Sequence, residues 1–247
     1  MKAIILAAGL GSRLEELTKD RPKCLVEYKN MPLISYQLNA FLKAGINDIA
    51  VVGGYKFEVL KNYLNANFKK VKLYENTDFA SSNMTYTMFC AREFMDDDTI
   101  ISYSDIIYDY EFIELLKACK NELSVMVDKN WLELWKQRFS DPLSDAESME
   151  IQDGFIKELG KKVTHIDKID AQYIGLFKFN KSFLSSVFDV WDNLDKNRYY
   201  DSKNWKNIYM TSFLTEIINK FDNAKAIFAP KNWLEIDQKT DLEIDIF

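Results

Sequence analysis

The residues best equipped for chemistry lie near the start of the chain, in Leu6-Ala7-Ala8-Gly9-Leu10-Gly11-Ser12-Arg13 and in Arg21-Pro22-Lys23. Gly9 and Gly11 are two of only eight glycines in 247 residues. Small residues let a backbone approach a ligand closely, and successive amides after a strand form a concavity that binds anions. Arg13 and Lys23 add fixed positive charge beside it, and the set suits a triphosphate. The plainer alternative is a tight strand-to-helix turn with two surface bases. Two other phosphate loops do not fit. The chain has no Gly-x4-Gly-Lys-Ser/Thr here, and Leu14 stands where a dinucleotide fingerprint has its third small residue. Far downstream, Asp105 follows the apolar stretch Thr99–Tyr103, and Asp237 follows Trp233–Ile236. Ligand sites in open α/β sheets lie at the carboxyl ends of strands, which is where both aspartates would fall. Taken singly, each also reads as a turn or helix-cap residue.

The elements that must position these residues are legible from hydrophobic patterning. Lys2–Ala8 is a short continuous apolar run, as expected of a strand buried on both faces. Leu33, Ile34, Leu38, Phe41 and Leu42 recur at helical spacing between Pro32 and Gly45. Asp48–Val52 reads as a strand, Phe57, Leu60, Leu64 and Phe68 as a helical stripe, and Val71–Tyr74 as a third strand. Ser82–Glu93 is expected to be helical and Thr99–Tyr103 a strand. A helix faced by Phe112, Leu115, Leu116 and Cys119 follows, then a strand at Leu123–Val127. Alternating strands and helices predict an α/β fold: a mostly parallel sheet with helices on both faces. After Lys129 the pattern changes. Met149–Gln152 and Phe155–Leu159 flank the hairpin signal Asp153-Gly154. Ala171–Phe179 is a strand, Ser182–Leu194 and Met210–Phe221 are helices, and Lys225–Ala229 and Trp233–Ile236 are late strands. One domain over 1–247 is expected, with a nucleotide-binding half at 1–128 and an acceptor-binding half at 129–247.

Composition removes several classes of function. The chain is 47% apolar, enough for a sizeable core, and its net charge of −6 disfavours nucleic acid as partner. No apolar run is long enough to span a bilayer and no secretory leader is visible, so no membrane partner and a cytoplasmic location are expected. Cys24, Cys90 and Cys119 lack metal-ligand spacing and cannot form a closed disulfide set, as in a reducing compartment. His165 is the single histidine and reads as a loop residue, which disfavours a zinc enzyme or a Ser-His-Asp hydrolase.

The segment from Ala7 to Arg13, with Pro22-Lys23, resembles the signature of the nucleotidyltransferases that activate sugar phosphates and small phosphorylated alcohols. Pro32-Leu33-Ile34-Ser35-Tyr36, Ala44-Gly45-Ile46, Val52-Gly53-Gly54-Tyr55, Tyr103-Ser104-Asp105 and Trp233-Leu234-Glu235-Ile236-Asp237 fit that family in order. The resemblance implies a Rossmann-like fold with a small hairpin-containing acceptor region. It makes Arg13 and Lys23 the catalytic cations, and Asp105 and Asp237 the Mg²⁺ ligands. Leu6, Ala8, Gly9, Gly11, Ser12, Arg13, Lys23, Ser82, Asn83 and Asp105 would bind the nucleotide. The Ala80-Ser81-Ser82-Asn83 loop would read the base, although Asn83 is equally placed to cap a helix. The loop lacks the Gln and Pro-x-Gly of sugar-phosphate enzymes and is similar to the phosphocholine type of cytidylyltransferase. CTP is therefore the expected nucleotide by resemblance.

The acceptor is expected to meet Trp135, Arg138, Asp145, Glu147, Lys161 and Tyr173. An ammonium group can sit on an indole face or against Asp145 and Glu147, and Arg138 can pair a carboxylate or phosphate bidentately. By resemblance, Lys161, with Lys162 as the alternative, would hold the acceptor's phosphate, and the plainer reading of the two is a solvated charge pair. Trp131 and Trp135 also read simply as an i, i+4 packing pair. Phosphocholine enzymes lack the Asp145-Ala146-Glu147 stretch. It is closer to relatives that act on 2-aminoethylphosphonate, or on L-glutamine phosphate in bacterial capsule phosphoramidate synthesis, and L-glutamine phosphate is the preferred acceptor. Rival classes are a nucleotide-dependent oxidoreductase, a non-catalytic nucleotide-binding regulator and a sugar-1-phosphate nucleotidyltransferase.

Overall fold

A computed structural model describes residues 1–246. Nine strands form one sheet: β1 Lys2–Ala7, β2 Asp48–Gly53, β3 Lys72–Glu75, β4 Thr99–Tyr103, β5 Leu123–Asp128, β6 Glu147–Gln152, β7 Phe155–Lys162, β8 Gln172–Phe179 and β9 Ala224–Phe228. Their spatial order is β3-β2-β1-β4-β8-β5-β9-β7-β6. β3, β2, β1 and β4 are mutually parallel, and β9 is parallel to β5. β8 runs antiparallel to both β4 and β5, and β7 antiparallel to both β9 and β6. The mostly parallel sheet is thus present, with two reversed strands set into its second half. Strands from both halves of the sequence interleave in this one sheet.

Alternation along β1 explains the two-sided core. Ala3, Ile5 and Ala7 face one layer, and Ile4 and Leu6 face the other. The first layer receives α1 (Leu33–Lys43), α2 (Phe57–Asn67) and α4 (Tyr110–Ala118) through Leu38, Phe41, Leu60 and Phe112. The second receives α3 (Met84–Phe89), α6 (Leu184–Asp192) and α7 (Met210–Phe221) through Met88, Val187, Phe213 and Ile217. The remaining helix, α5, is Trp131–Arg138. Among the described residues, no helix is long and apolar enough to cross a membrane.

Three elements differ from expectation. The helix expected over 82–93 is shorter, because it begins only where Asn83 accepts from the Met84 amide, and after Met88 the bonds tighten to three-residue spacing. The late strand at 233–236 does not join the main sheet. Only Leu234–Glu235 is extended, paired antiparallel with Ile106–Ile107. β7 continues three residues past Leu159, with an irregular register between Leu159 and Lys162.

Candidate active site

Strand register delivers the key residues to one edge. Leu6 of β1 lies opposite Tyr103 of β4, so the loops leaving the two carboxyl ends put Gly9 and Asp105 side by side. The short Leu234–Glu235 ladder then carries the end of the chain to the same place. Glu235 pairs with Ile106, and the Ile236 amide donates to the Asp105 carbonyl at 2.8 Å. One ligand oxygen each from Asp105, Glu235 and Asp237 lies within 4.8 Å of the others.

Lys23 is driven into this cluster. Its Nζ donates to Asp105 Oδ2 at 2.7 Å and to Asp237 Oδ1 at 2.5 Å. Burial would lower the Lys23 pKa, but Asp105, Asp237 and Glu235 together hold it above the ordinary lysine value. Burial likewise opposes the charge on Asp237, yet Lys23 and Arg13 hold its carboxyl below the usual range. Arg13 Nη1 reaches Asp237 Oδ2 at 2.8 Å. Asp105 Oδ1 is buried without a hydrogen-bond partner. A buried carboxylate oxygen left open beside two more carboxylates is a donor set that fits a hard divalent cation.

Two clefts meet at this cluster. The first is lined by Leu6, Ala8, Gly9, Lys23, Ser82, Asn83 and Asp105 among others. A Cβ added at Gly9 would meet nothing within 4 Å, so its missing side chain leaves open space over this cleft. Gly11 and Ser12 do not line it. Gly11 adopts φ +64°, and a Cβ there would come within 2.7 Å of the Lys23 Cβ, so this glycine makes room for the lysine stem rather than for a ligand. Asn83 caps α3, as the plainer reading has it, and it also lines the cleft. Ser82 accepts from Asn76 Nδ2 and donates to the Asp78 carbonyl, which fixes the loop. Cys24, also in this wall, is fully buried, and burial pushes its thiol up to about 12.

The second cleft is lined by Arg13, Trp135, Asp145, Glu147, Tyr173 and Asp237, with Asn83 and Met84 shared with the first. Burial raises Asp145, and burial together with the like charge of Asp145 pushes Glu147 up to about 7. Trp131 and Trp135 are both buried, packed edge-to-face at 5.9 Å, and of the two only Trp135 reaches the cleft. His165 is exposed on a loop, as expected.

Two expected acceptor residues are not in this cleft. Arg138 is a buried support: its Nη1 donates to Glu235 Oε2 at 2.8 Å and its Nε to Asp241 Oδ1 at 3.2 Å. Asp241 in turn accepts from the amides of Asp237 and Gln238, so Arg138 orients the metal-type carboxylates instead of an acceptor. Lys161 is exposed and ion-paired with Glu158, because β7 runs on through it and the irregularity around Gly160 turns it outward. Among the described residues, Arg13 is the one cation lining the second cleft. Sequence reasoning missed Glu235 as the third carboxylate. Period-two alternation in Leu234-Glu235-Ile236-Asp237 carries the signal, since it puts both acids on one face.

Residues 2–130 match the family described as Nucleotidyl transferase. The chain belongs to the nucleotidyl transferase family. It is 51% identical to the CTP:phosphoglutamine cytidylyltransferase of Campylobacter jejuni, over 100% of this chain and 99% of that protein. It is 30% identical to the choline-phosphate cytidylyltransferase of Streptococcus pneumoniae, over 80% and 84% of the two chains. Its fold superposes on the solved CTP:phosphocholine cytidylyltransferase of S. pneumoniae with a TM-score of 0.71 at 21% identity, covering 98% and 96% of the chains. The family's Rossmann-like architecture is therefore that of this transferase.

Two outcomes follow from the geometry. Removing Arg138 leaves Glu235 and Asp241 without their buried partner, so Arg138→Met should lower unfolding free energy in urea by about 3–5 kcal/mol. Glu147 has a folded pKa above its ordinary 4.5, which disfavours its charged form in the native state. Its cost is absent below pH about 4.5, grows as the unfolded chain ionises first, and is complete above pH about 7. Glu147→Gln should therefore have a higher unfolding free energy in urea than the unmodified protein at pH 8, by about 3 kcal/mol, and show no advantage near pH 4.5.

Proposed function

We propose that this protein moves CMP from CTP to L-glutamine phosphate, giving CDP-L-glutamine and pyrophosphate, in a Mg²⁺-dependent reaction. The observation that carries the reading is the meeting of two clefts at Lys23, Asp105 and Asp237. The full-length likeness to a CTP:phosphoglutamine cytidylyltransferase supports both substrates. CTP would occupy the first cleft, its phosphates over Gly9 and Lys23 and its base near Ser82 and Asn83. The acceptor would occupy the second. Its ammonium group would face Asp145 and Glu147, and its phosphate would face Arg13, in place of Arg138 and Lys161.

The acceptor's phosphate oxygen attacks the α-phosphorus. A new P–O bond forms, the bond to the β-phosphate oxygen breaks, and its electron pair leaves with pyrophosphate. A phosphate's second ionisation lies near pH 6, so no general base is needed at neutral pH. Lys23 neutralises charge on the α-phosphate and on the departing group, Arg13 neutralises charge on the attacking phosphate, and the cleft walls hold donor and acceptor in line. Asp105 and Asp237, with Glu235 beside them, would hold Mg²⁺, which as a Lewis acid would add further charge neutralisation at the phosphates. The same reading puts the enzyme in the cytoplasm, where its three free cysteines stay reduced, and its product in capsule synthesis.

A pyrophosphate-release screen tests the assignment. CTP, UTP, dTTP and ATP are crossed with L-glutamine phosphate, phosphocholine, 2-aminoethylphosphonate and glucose-1-phosphate. CTP with L-glutamine phosphate should turn over fastest, and chelation should stop it. A faster rate with any other pair replaces the substrate assignment, and release that survives chelation removes the metal. Asp105→Asn should lower kcat by roughly 100-fold or more with an unchanged far-UV spectrum. Gly9→Ala has room for its methyl in the ligand-free protein, so it should keep the melting temperature while weakening CTP by roughly ten-fold.

A further inference from the structure

We infer that Lys23 is a built-in counter-ion for the carboxylate cluster, so that a divalent cation enters only once a triphosphate has drawn the lysine away. The inference rests on the metal-dependent reading above and concerns the order of events at that site. The Lys23 ammonium lies between Asp105 and Asp237, 2.7 and 2.5 Å from their oxygens, in the space an ion shared by the two carboxylates would need. Arg13 holds the other oxygen of Asp237, and Arg138 holds Glu235. Each of the three carboxylates therefore already has a cation beside it, Arg138 being shared with Asp241, and a divalent ion meets a cluster whose charge is largely compensated. Displacing the ammonium without giving it another anion would strand a buried charge, which is costly.

A nucleotide supplies that other anion. Lys23 lines the first cleft as well as the cluster, and its stem is packed against Gly11 while only its head group touches the carboxylates. Rotation of the head group is enough to trade carboxylate for phosphate, and charge-assisted bonds to phosphate are strong. Asp105 and Asp237 are then open together. Metal and nucleotide become positively coupled ligands, and the coupling is reciprocal.

Calorimetric titration of Mn²⁺ into the protein without nucleotide tests this. Lys23→Met and Lys23→Gln should each bind one Mn²⁺ at least about ten-fold more tightly than the unmodified protein. Adding Asp237→Asn to either should remove the gain. Melting with Mn²⁺ alone gives a second readout: a rise in both variants and none in the unmodified protein. If Lys23→Met does not fold, Lys23→Gln keeps a polar head group in the cluster and carries the test. Equal Mn²⁺ affinity in variants and unmodified protein, weak or tight, overturns the inference. If pyrophosphate release still requires metal in that case, the counter-ion role fails alone. If release also survives chelation, the metal reading has failed with it.

Discussion

The structure turns on one ammonium group held between two carboxylates. Lys23 leaves the first strand's loop, Asp105 the fourth strand, and Asp237 a segment that comes more than a hundred residues later. Each of these groups is costly to bury alone, and together they satisfy one another. Supporting parts follow from that requirement. Gly11 gives the lysine stem its space, the Ile106–Ile107 ladder fixes the height of Asp237, and Arg138 with Asp241 fixes its direction.

The sheet explains why two clefts open onto this centre. Parallel strands β1 and β4 end at the same level and open the first cleft between their loops. Reversed β8 next to β4, together with α5 and the segment after it, builds the second cleft alongside. In the proposed reaction a nucleotidyl donor and a phosphorylated acceptor would approach from these neighbouring compartments, with the cluster at their common wall.

How much could be read from the sequence depended on how local the cause was. Gly9, Asp105 and Asp237 were legible as positions because each follows a short apolar run, and Lys23 as a fixed charge near a glycine-containing turn, while their roles came from the family resemblance. Asp145, Glu147 and Trp135 were legible as an unusual mix of charge and aromatics and Tyr173 through the family resemblance, and the four share a cleft. Arg138 and Lys161 were not. Whether a side chain on α5 points at a cleft or into the body depends on what packs beneath it, here Glu235 and Asp241 from about a hundred residues on. For Lys161, the irregular register around Gly160 changes which face the strand presents, and residue type does not reveal that. The reversal of β8 was likewise invisible, since an apolar strand reads the same in either direction.

Cys24 sits next to the central lysine, in the wall of the first cleft, with its thiol held almost entirely protonated at physiological pH. A sulfur that does not ionise is a poor nucleophile toward peroxide, disulfides and soft electrophiles. Burial has therefore placed a potentially vulnerable atom at the heart of the molecule in a chemically silent form. Oxidative stress and thiol-directed reagents should find their targets elsewhere on the chain before they reach this one.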